Sequence, residues 1–244
     1  MPDKRRHRGP DPEDARLFAA PACPVLRQAA SDLCWLLNRG YACPSALELV
    51  GNRYALVRRQ RTAVARCVCS DEAFQRRHLH QVEPAQVLNQ ELWLDGFNVL
   101  NALEAALSGG VILLGRDGCY RDMAAVHGRY RLVEETLPAM RLVGELTTAW
   151  AASACRWWFD KPVSNSGRLQ RVLREMAVEA GWNWRVELVY NPDKVLAETD
   201  HIAVTSDSAI LDRCGRWFNL ARWAIDHRVP RAHVVNLAVD IPVT

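Results

Sequence analysis

Lysine is scarce in this chain: of 31 basic residues in 244, all but three are arginine. Arginine forks suit phosphate, although codon composition alone produces the same bias. Long apolar runs are missing too. Nothing approaches the roughly 18 residues needed to span a bilayer, and Met1-Pro2-Asp3-Lys4-Arg5-Arg6-His7-Arg8 has no apolar core behind its charges. Neither a membrane span nor a signal peptide is expected, and the chain reads as cytoplasmic. There is no Gly-x-Ser-x-Gly elbow, no Gly-x-x-x-x-Gly-Lys-Ser/Thr loop and no Gly-x-Gly-x-x-Gly turn. Their absence argues against a serine hydrolase, a P-loop nucleotidase and a dinucleotide enzyme. The histidines lack zincin spacing, and internal repeats and low-complexity tracts are absent.

The eight cysteines are scattered, mostly within apolar segments, and read as buried thiols rather than a disulfide framework. Cys67-x-Cys69 followed by His78-x-His80 offers the residue types for zinc. Its Cys-x-Cys spacing is tighter than structural sites use, and both pairs fall on expected helix.

Charge is uneven along the chain. Residues 1–90 carry 14 Lys and Arg against 9 Asp and Glu, whereas the remainder carries 17 against 19. A basic front joined to a mildly acidic back suggests that the first grips a polyanion and the second holds the chemistry. Residues 1 to about 20 lack periodicity and read as an irregular arm, more a solvated tail than a phosphate contact through His7-Arg8-Gly9-Pro10. Helices are expected from Pro24 to Asn38, from Ala46 to Val50, from Ala55 to Arg66, and after the Ser70-Asp71-Glu72 cap. Helix, Gly51-Asn52 turn and basic helix together suggest a helix-turn-helix that sets Arg58, Arg59 and Arg61 against a nucleic-acid backbone. A solvated or packed surface helix explains the same arginines.

Val82 through Gln90 reads as a linker, where the pattern changes from helices alone to alternating strand and helix. The expected organisation is a small all-helical domain over 1–88 and an α/β domain over 89–244, the latter an open three-layer parallel sheet. Its strands are expected at Leu92–Asp95, Arg156–Asp160, Val186–Tyr190, His201–Asp207 and His233–Leu237, with Val111–Leu114 a further strand or hairpin arm. A Trp-rich helix is expected over Trp217–Ala224.

Three of these apolar strands end on an aspartate, at Asp95, Asp160 and Asp207, and Asp193 opens a helix just after Tyr190. Neighbouring parallel strands point the same way, so these acids can converge at the carboxyl rim, where such sheets bind ligands. Four carboxylates in one cleft repel unless a divalent cation neutralises them. Mg²⁺ or Mn²⁺ prefers carboxylate oxygen, and such a site activates water for attack on phosphate. Asn98, one turn beyond Asp95, would present a neutral amide to the same cleft. Plain helix capping explains any one of these aspartates taken alone.

Leu94-Asp95-Gly96-Phe97-Asn98-Val99-Leu100 resembles the opening strand of NYN-type nucleases, a branch of the PIN-like fold. Trp158-Phe159-Asp160, Asn191-Pro192-Asp193 and Val204-Thr205-Ser206-Asp207 are similar to the later acidic motifs of that group. The resemblance, over about residues 90 to 215, implies metal-dependent RNA hydrolysis with Asp95, Asp160, Asp193 and Asp207 as catalytic, metal-binding acids and Asn98 and Ser206 in support. Because the family's third acid usually follows alanine, Asp200 rivals Asp193. The whole chain also resembles a two-part prokaryotic family of unknown function with a helical front.

Two loops are candidate substrate contacts. Ser164-Asn165-Ser166-Gly167-Arg168 opens a helix after Asp160, so Ser166 and Arg168 suit a phosphate, though capping accounts for Ser166 equally well. Arg116-Asp117-Gly118, with Arg121 and Asp122, offers a further acid or a clamp, or simply a tight turn. The expected activity is a metal-dependent ribonuclease with RNA as partner. The alternative is an inactive RNA- or protein-binding module on the same fold, and a phosphatase is a third possibility. Homo-oligomerisation stays open.

Overall fold

The computed structural model describes residues 7–123 and 130–238, so the first six residues of the arm lie outside it. Five helices come first: α1 (Asp14–Leu17), α2 (Cys23–Leu37), α3 (Cys43–Arg53), α4 (Arg58–Cys67) and α5 (Asp71–His80). Leu26, Ala30 and Leu33 of α2 are buried, as their spacing predicts, and the Ser70 hydroxyl caps α5 by accepting from Ala73 N at 3.2 Å. α4 begins at Arg58 rather than Ala55. Ala55 takes a left-handed backbone, φ 48°, and Leu56 N donates back to Gly51 O, closing α3 before α4 starts.

The expected linker is partly sheet. Gln81–Val82 forms β1, and a 3₁₀ turn, Pro84–Val87, leads from it to β2 (Glu91–Asp95). After β2 come α6 (Gly96–Leu107), β3 (Val111–Leu114), β4 (Tyr120–Asp122) and α7 (Thr136–Ala149). Then follow β5 (Ala154–Asp160), α8 (Ser166–Ala180), β6 (Trp184–Val189), α9 (Pro192–Ala197), β7 (Ile202–Val204) and α10 (Ser208–Leu211). The last described elements are β8 (Trp217–Phe218), α11 (Leu220–Arg228) and β9 (His233–Asn236).

The main sheet has six strands, all parallel, in the order β1-β8-β7-β2-β5-β6. Alternate residues divide between its faces, as a pleat requires. Leu92 and Leu94 of β2, Trp157 and Phe159 of β5 and Ile202 and Val204 of β7 join one core with α6, α7, α8 and α11. Trp93, Trp158, Ala203 and Trp217 pack on the other face against Leu196 of α9 and Ile210 and Leu211 of α10. The result is a helix–sheet–helix stack. No described helix is long and apolar enough to cross a membrane.

Two expectations are corrected here, the Trp217–Ala224 helix and the place of the last strand, and Val111–Leu114 is settled as the hairpin arm of the two forms expected. Trp217–Phe218 is a strand, and its helix starts only at Leu220. Val111–Leu114 pairs antiparallel with β4 as a hairpin. The last strand, β9, joins β3 instead of the main sheet, making a second sheet in the order β4-β3-β9. That small sheet carries the helical region: Val111, Leu113, Val235 and Leu237 share a core with Leu26, Leu33 and Val64.

α6 is buried on nearly every side. Its buried Glu104 takes Arg8 of the arm at 2.8 Å, the Thr136 hydroxyl at 2.6 Å and the Tyr130 hydroxyl, because a buried carboxylate needs partners on all its lone pairs. The described part of the arm is therefore docked through Arg8, where a solvated tail was the favoured expectation. No cysteine is bonded to another, and burial pushes the thiols of Cys67 and Cys69 up to about 12 and about 11.

Candidate active site

After β2 the chain builds outward through β5 and β6, then returns to lay β7 on the opposite side of β2. The crevice between β2 and β7 is thus the topological switch point, where open parallel sheets bind ligands. Strands β7, β2, β5 and β6 are consecutive neighbours. Asp207, Asp95, Asp160 and Asp193 stand at or just beyond their carboxyl ends, in that order. Asp200 precedes β7 and so lies at the opposite, amino edge.

Asp95 is the most deeply set of these acids. Its Oδ2 accepts from the Thr205 hydroxyl at 2.8 Å, and Oδ1 lies 3.4 Å from Asn98 N at the start of α6. Burial pushes its carboxyl up to about 7; the Thr205 hydroxyl opposes the rise, while the charges of Asp207 and Asp193 add to it. Gly96 is required next to it, since a Cβ there would overlap the Phe159 ring.

The turn after β7 is locked to the start of α6. Asn98 Oδ1 accepts from Ser206 N at 2.8 Å and from the Ser206 hydroxyl at 3.0 Å, and Asp207 N donates to Thr205 Oγ1 at 2.9 Å. Asp207 Oδ1 caps α10, accepting from Ala209 N at 2.8 Å. Asp193 stands exposed at the rim, because Asn191 caps α9 in its place, at 3.0 Å from Lys194 N. Partial desolvation by the surrounding rim raises the carboxyls of Asp193 and Asp160, helped by Asp207 in the first case and by Asp193 in the second; for Asp193, which stays open to solvent, the effect is correspondingly weak.

A cleft of about 530 Å³ opens at this point. Asp95, Asp193 and Asp207 line it together with Asp122 of β4, and Asn98 and Asn101 of α6 lie between them. Asp160 does not line it and meets the group through Asp193. The facing wall belongs to the helical region: Thr62, Ala65 and Arg66 of α4 border the same space. Arg66 donates to the Asp122 carbonyl and lies 3.8 Å from its carboxylate. Among the described residues no three His, Cys, Asp or Glu side chains stand close enough to close on one metal ion.

The loop candidates divide. Asp117 is not a cleft acid. Burial alone would raise its carboxyl, but Arg121 and Arg77, each with a contact at 2.6 Å, hold it well below the ordinary carboxylate range. Arg121 in turn donates from Nε to Ser206 O at 2.7 Å, clamping the Thr205-Ser206-Asp207 turn. Ser166 is buried, and its hydroxyl donates to Lys161 O at 3.3 Å; neither it nor the exposed Arg168 lines the cleft. Arg59 is held by Asp14, with a contact at 2.8 Å, and Arg61 turns back onto Leu56 O at 2.9 Å and Asn52 at 2.8 Å. Arg58 alone of the three is exposed and has no ion pair among the described residues. Sequence reasoning missed Arg66, Thr62 and Asn101; the first two sit at helical spacing from Arg58, a signal that was available.

Fold and cleft together define a parallel α/β protein with an acid-lined crevice at its switch point, walled on one side by a helical region. The chain belongs to the family described as Domain of unknown function (DUF5616), whose model matches residues 84–223, and residues 25–79 match Protein of unknown function (DUF434). It is similar to an uncharacterized protein of Methanocaldococcus jannaschii, 33% identical over 188 residues that cover 76% of this chain and 88% of that protein. No solved structure matches it. The family is thus two-part, while the likeness to NYN-type nucleases rests on its short motifs.

Proposed function

We propose that this protein is a metal-dependent ribonuclease that hydrolyses RNA phosphodiesters at the acidic cleft. One observation carries the reading: four carboxylates stand at or just beyond the carboxyl ends of four adjacent parallel strands at the switch point, and three of them border a single hollow. Their chemistry fits a hard divalent cation. Oxygen donors dominate, and the deepest of them, Asp95, is raised by burial and by its acidic neighbours, as expected of carboxylates gathered for a positive charge. Asp95, Asp193 and Asp207 would supply the carboxylates to Mg²⁺ or Mn²⁺, with Asp160 behind Asp193, and would have to draw together to share one ion. A cation bound there supplies charge neutralisation and an acidified water for in-line attack on phosphate.

The protein's own groups prepare the site. Thr205 orients Asp95, Asn98 fixes the Ser206 amide and hydroxyl, and Arg121 holds the Ser206 carbonyl, so the two sides of the crevice keep one spacing. A binding module that does not cut is the second reading. It is favoured by the capping bonds of Asp95 and Asp207 and by the lack of a ready three-ligand cluster among the described residues.

The deciding experiment is cleavage of structured and single-stranded RNA with Mn²⁺ by the parent and by Asp95→Asn. Cutting that disappears in the variant carries the first reading. RNA binding without cutting in either protein carries the second. Turnover of a chromogenic phosphomonoester with no RNA cleavage would move the assignment to a phosphatase.

A further inference from the structure

We infer that α4 forms one bank of the substrate channel: a single RNA strand lies along its Arg58, Thr62 and Arg66 face, with backbone phosphate against Arg58, and enters the acid cleft past Thr62. The nuclease reading supplies the identity of the strand; the channel itself stands on separate observations.

The first is continuity. A second hollow of about 370 Å³, bordered by Glu13, Arg58 and Arg59, adjoins the acid cleft, and Thr62 and Arg66 line both. The second is helical phase. Residues 58, 62 and 66 recur at i, i+4 and i+8, so they share one face and span about 12 Å of α4. On that face Arg58 is exposed and makes no ion pair among the described residues, whereas Arg59 and Glu13 are engaged by Asp14 and Arg16.

The third is the end of the helix. Val57 supplies no side-chain cap and the first turn holds no acid, so the positive pole of this ten-residue helix adds to Arg58. The fourth lies across the cleft. Asn101 is 96% buried and lines the hollow, yet its Oδ1 has no hydrogen-bond partner among the described residues. A buried amide left unsatisfied beside a cleft is explained by a ligand group or water that completes it. Hollows of this size take small ligands, so they admit unpaired nucleotides and exclude a duplex.

The test is titration of the full chain with a fluorescent single-stranded oligoribonucleotide in EDTA, across a range of salt. Arg58→Ala should weaken binding several-fold and flatten the log–log salt slope by about 0.7, the value for one phosphate contact on a single strand. Arg171→Ala, an exposed arginine of α8 that borders neither hollow, should match the parent. The duplex of the same sequence should bind more weakly than the strand. Unchanged affinity and slope in Arg58→Ala, an equal fall in Arg171→Ala, tighter binding of the duplex or no binding by the parent would each overturn the channel. The outcomes separate from those of the nuclease reading. Binding that depends on Arg58 without any Mn²⁺-dependent cutting keeps the channel and removes the nuclease, and cutting indifferent to Arg58 does the reverse.

Discussion

Asp95→Asn tests the site through stability as well as activity. Asparagine keeps the size of the side chain and its capping oxygen, removes the charge, and sets an amide N–H2 where Oδ2 accepted from Thr205, so the Thr205 hydroxyl must turn to accept instead. The carboxyl is displaced from an ordinary 3.8 to about 7, and at about 1.4 kcal/mol per unit its ionisation costs the folded state about 4 kcal/mol. The folded chain holds this proton more tightly than the unfolded chain does. Its contribution to stability therefore falls as pH rises from about 4 and levels off above about 7. The variant escapes that loss. It should exceed the parent by up to about 4 kcal/mol at pH 8 and by about 1.5 kcal/mol at pH 5, while losing Mn²⁺-dependent cleavage. Urea unfolding of both proteins at the two pH values measures the gap. A variant less stable than the parent at pH 8, or a gap that does not change with pH, would refute the reasoning, because Asp95 would then be ionised in the fold without penalty.

Three further outcomes follow from the same geometry. Gly96→Ala should lower stability by about 1–3 kcal/mol through overlap with the Phe159 ring, and Phe159→Leu in the same chain should recover part of the loss in thermal melts. Asn101→Leu should melt at or above the parent temperature, since it removes a buried amide oxygen with no partner, yet it should bind the single-stranded oligoribonucleotide more weakly. Asp117→Asn should cost about 3–5 kcal/mol at neutral pH by leaving Arg77 and Arg121 under-compensated. Because Asp117 is held below the ordinary carboxylate range, its contribution is complete above that range and is lost on acidification. The difference between parent and variant should shrink in urea unfolding as pH falls below about 4.

Local pattern carried the helices and most strands into view. Strands β2, β5, β6 and β7 each read as an apolar run, and the aspartates at their ends could be aligned before strand order was known, because parallel neighbours share a direction. What stayed hidden depends on partners distant in the chain. Trp217–Phe218 is too short for any periodicity and becomes a strand only between β1 and β7. His233–Asn236 gives no sign of which sheet it joins. Arg59 and Arg58 are adjacent and alike in sequence, and only the distant Asp14 separates a structural arginine from an exposed one. Asp117 stayed open between a cleft acid, a clamp and a tight turn for a similar reason: its two arginine partners, Arg77 and Arg121, lie 40 residues before it and four after it.

The pairing of Gln81 with Trp217 and of Val82 with Phe218 bears on how this protein can be divided. A chain begun at residue 89 would retain every aspartate discussed, but it would bare the backbone donors and acceptors of Trp217–Phe218 to solvent. An uncovered edge of that kind recruits strands from other molecules. Such a fragment is expected to self-associate and to lose the bank of its own cleft, so the two halves are to be expressed and assayed as a unit.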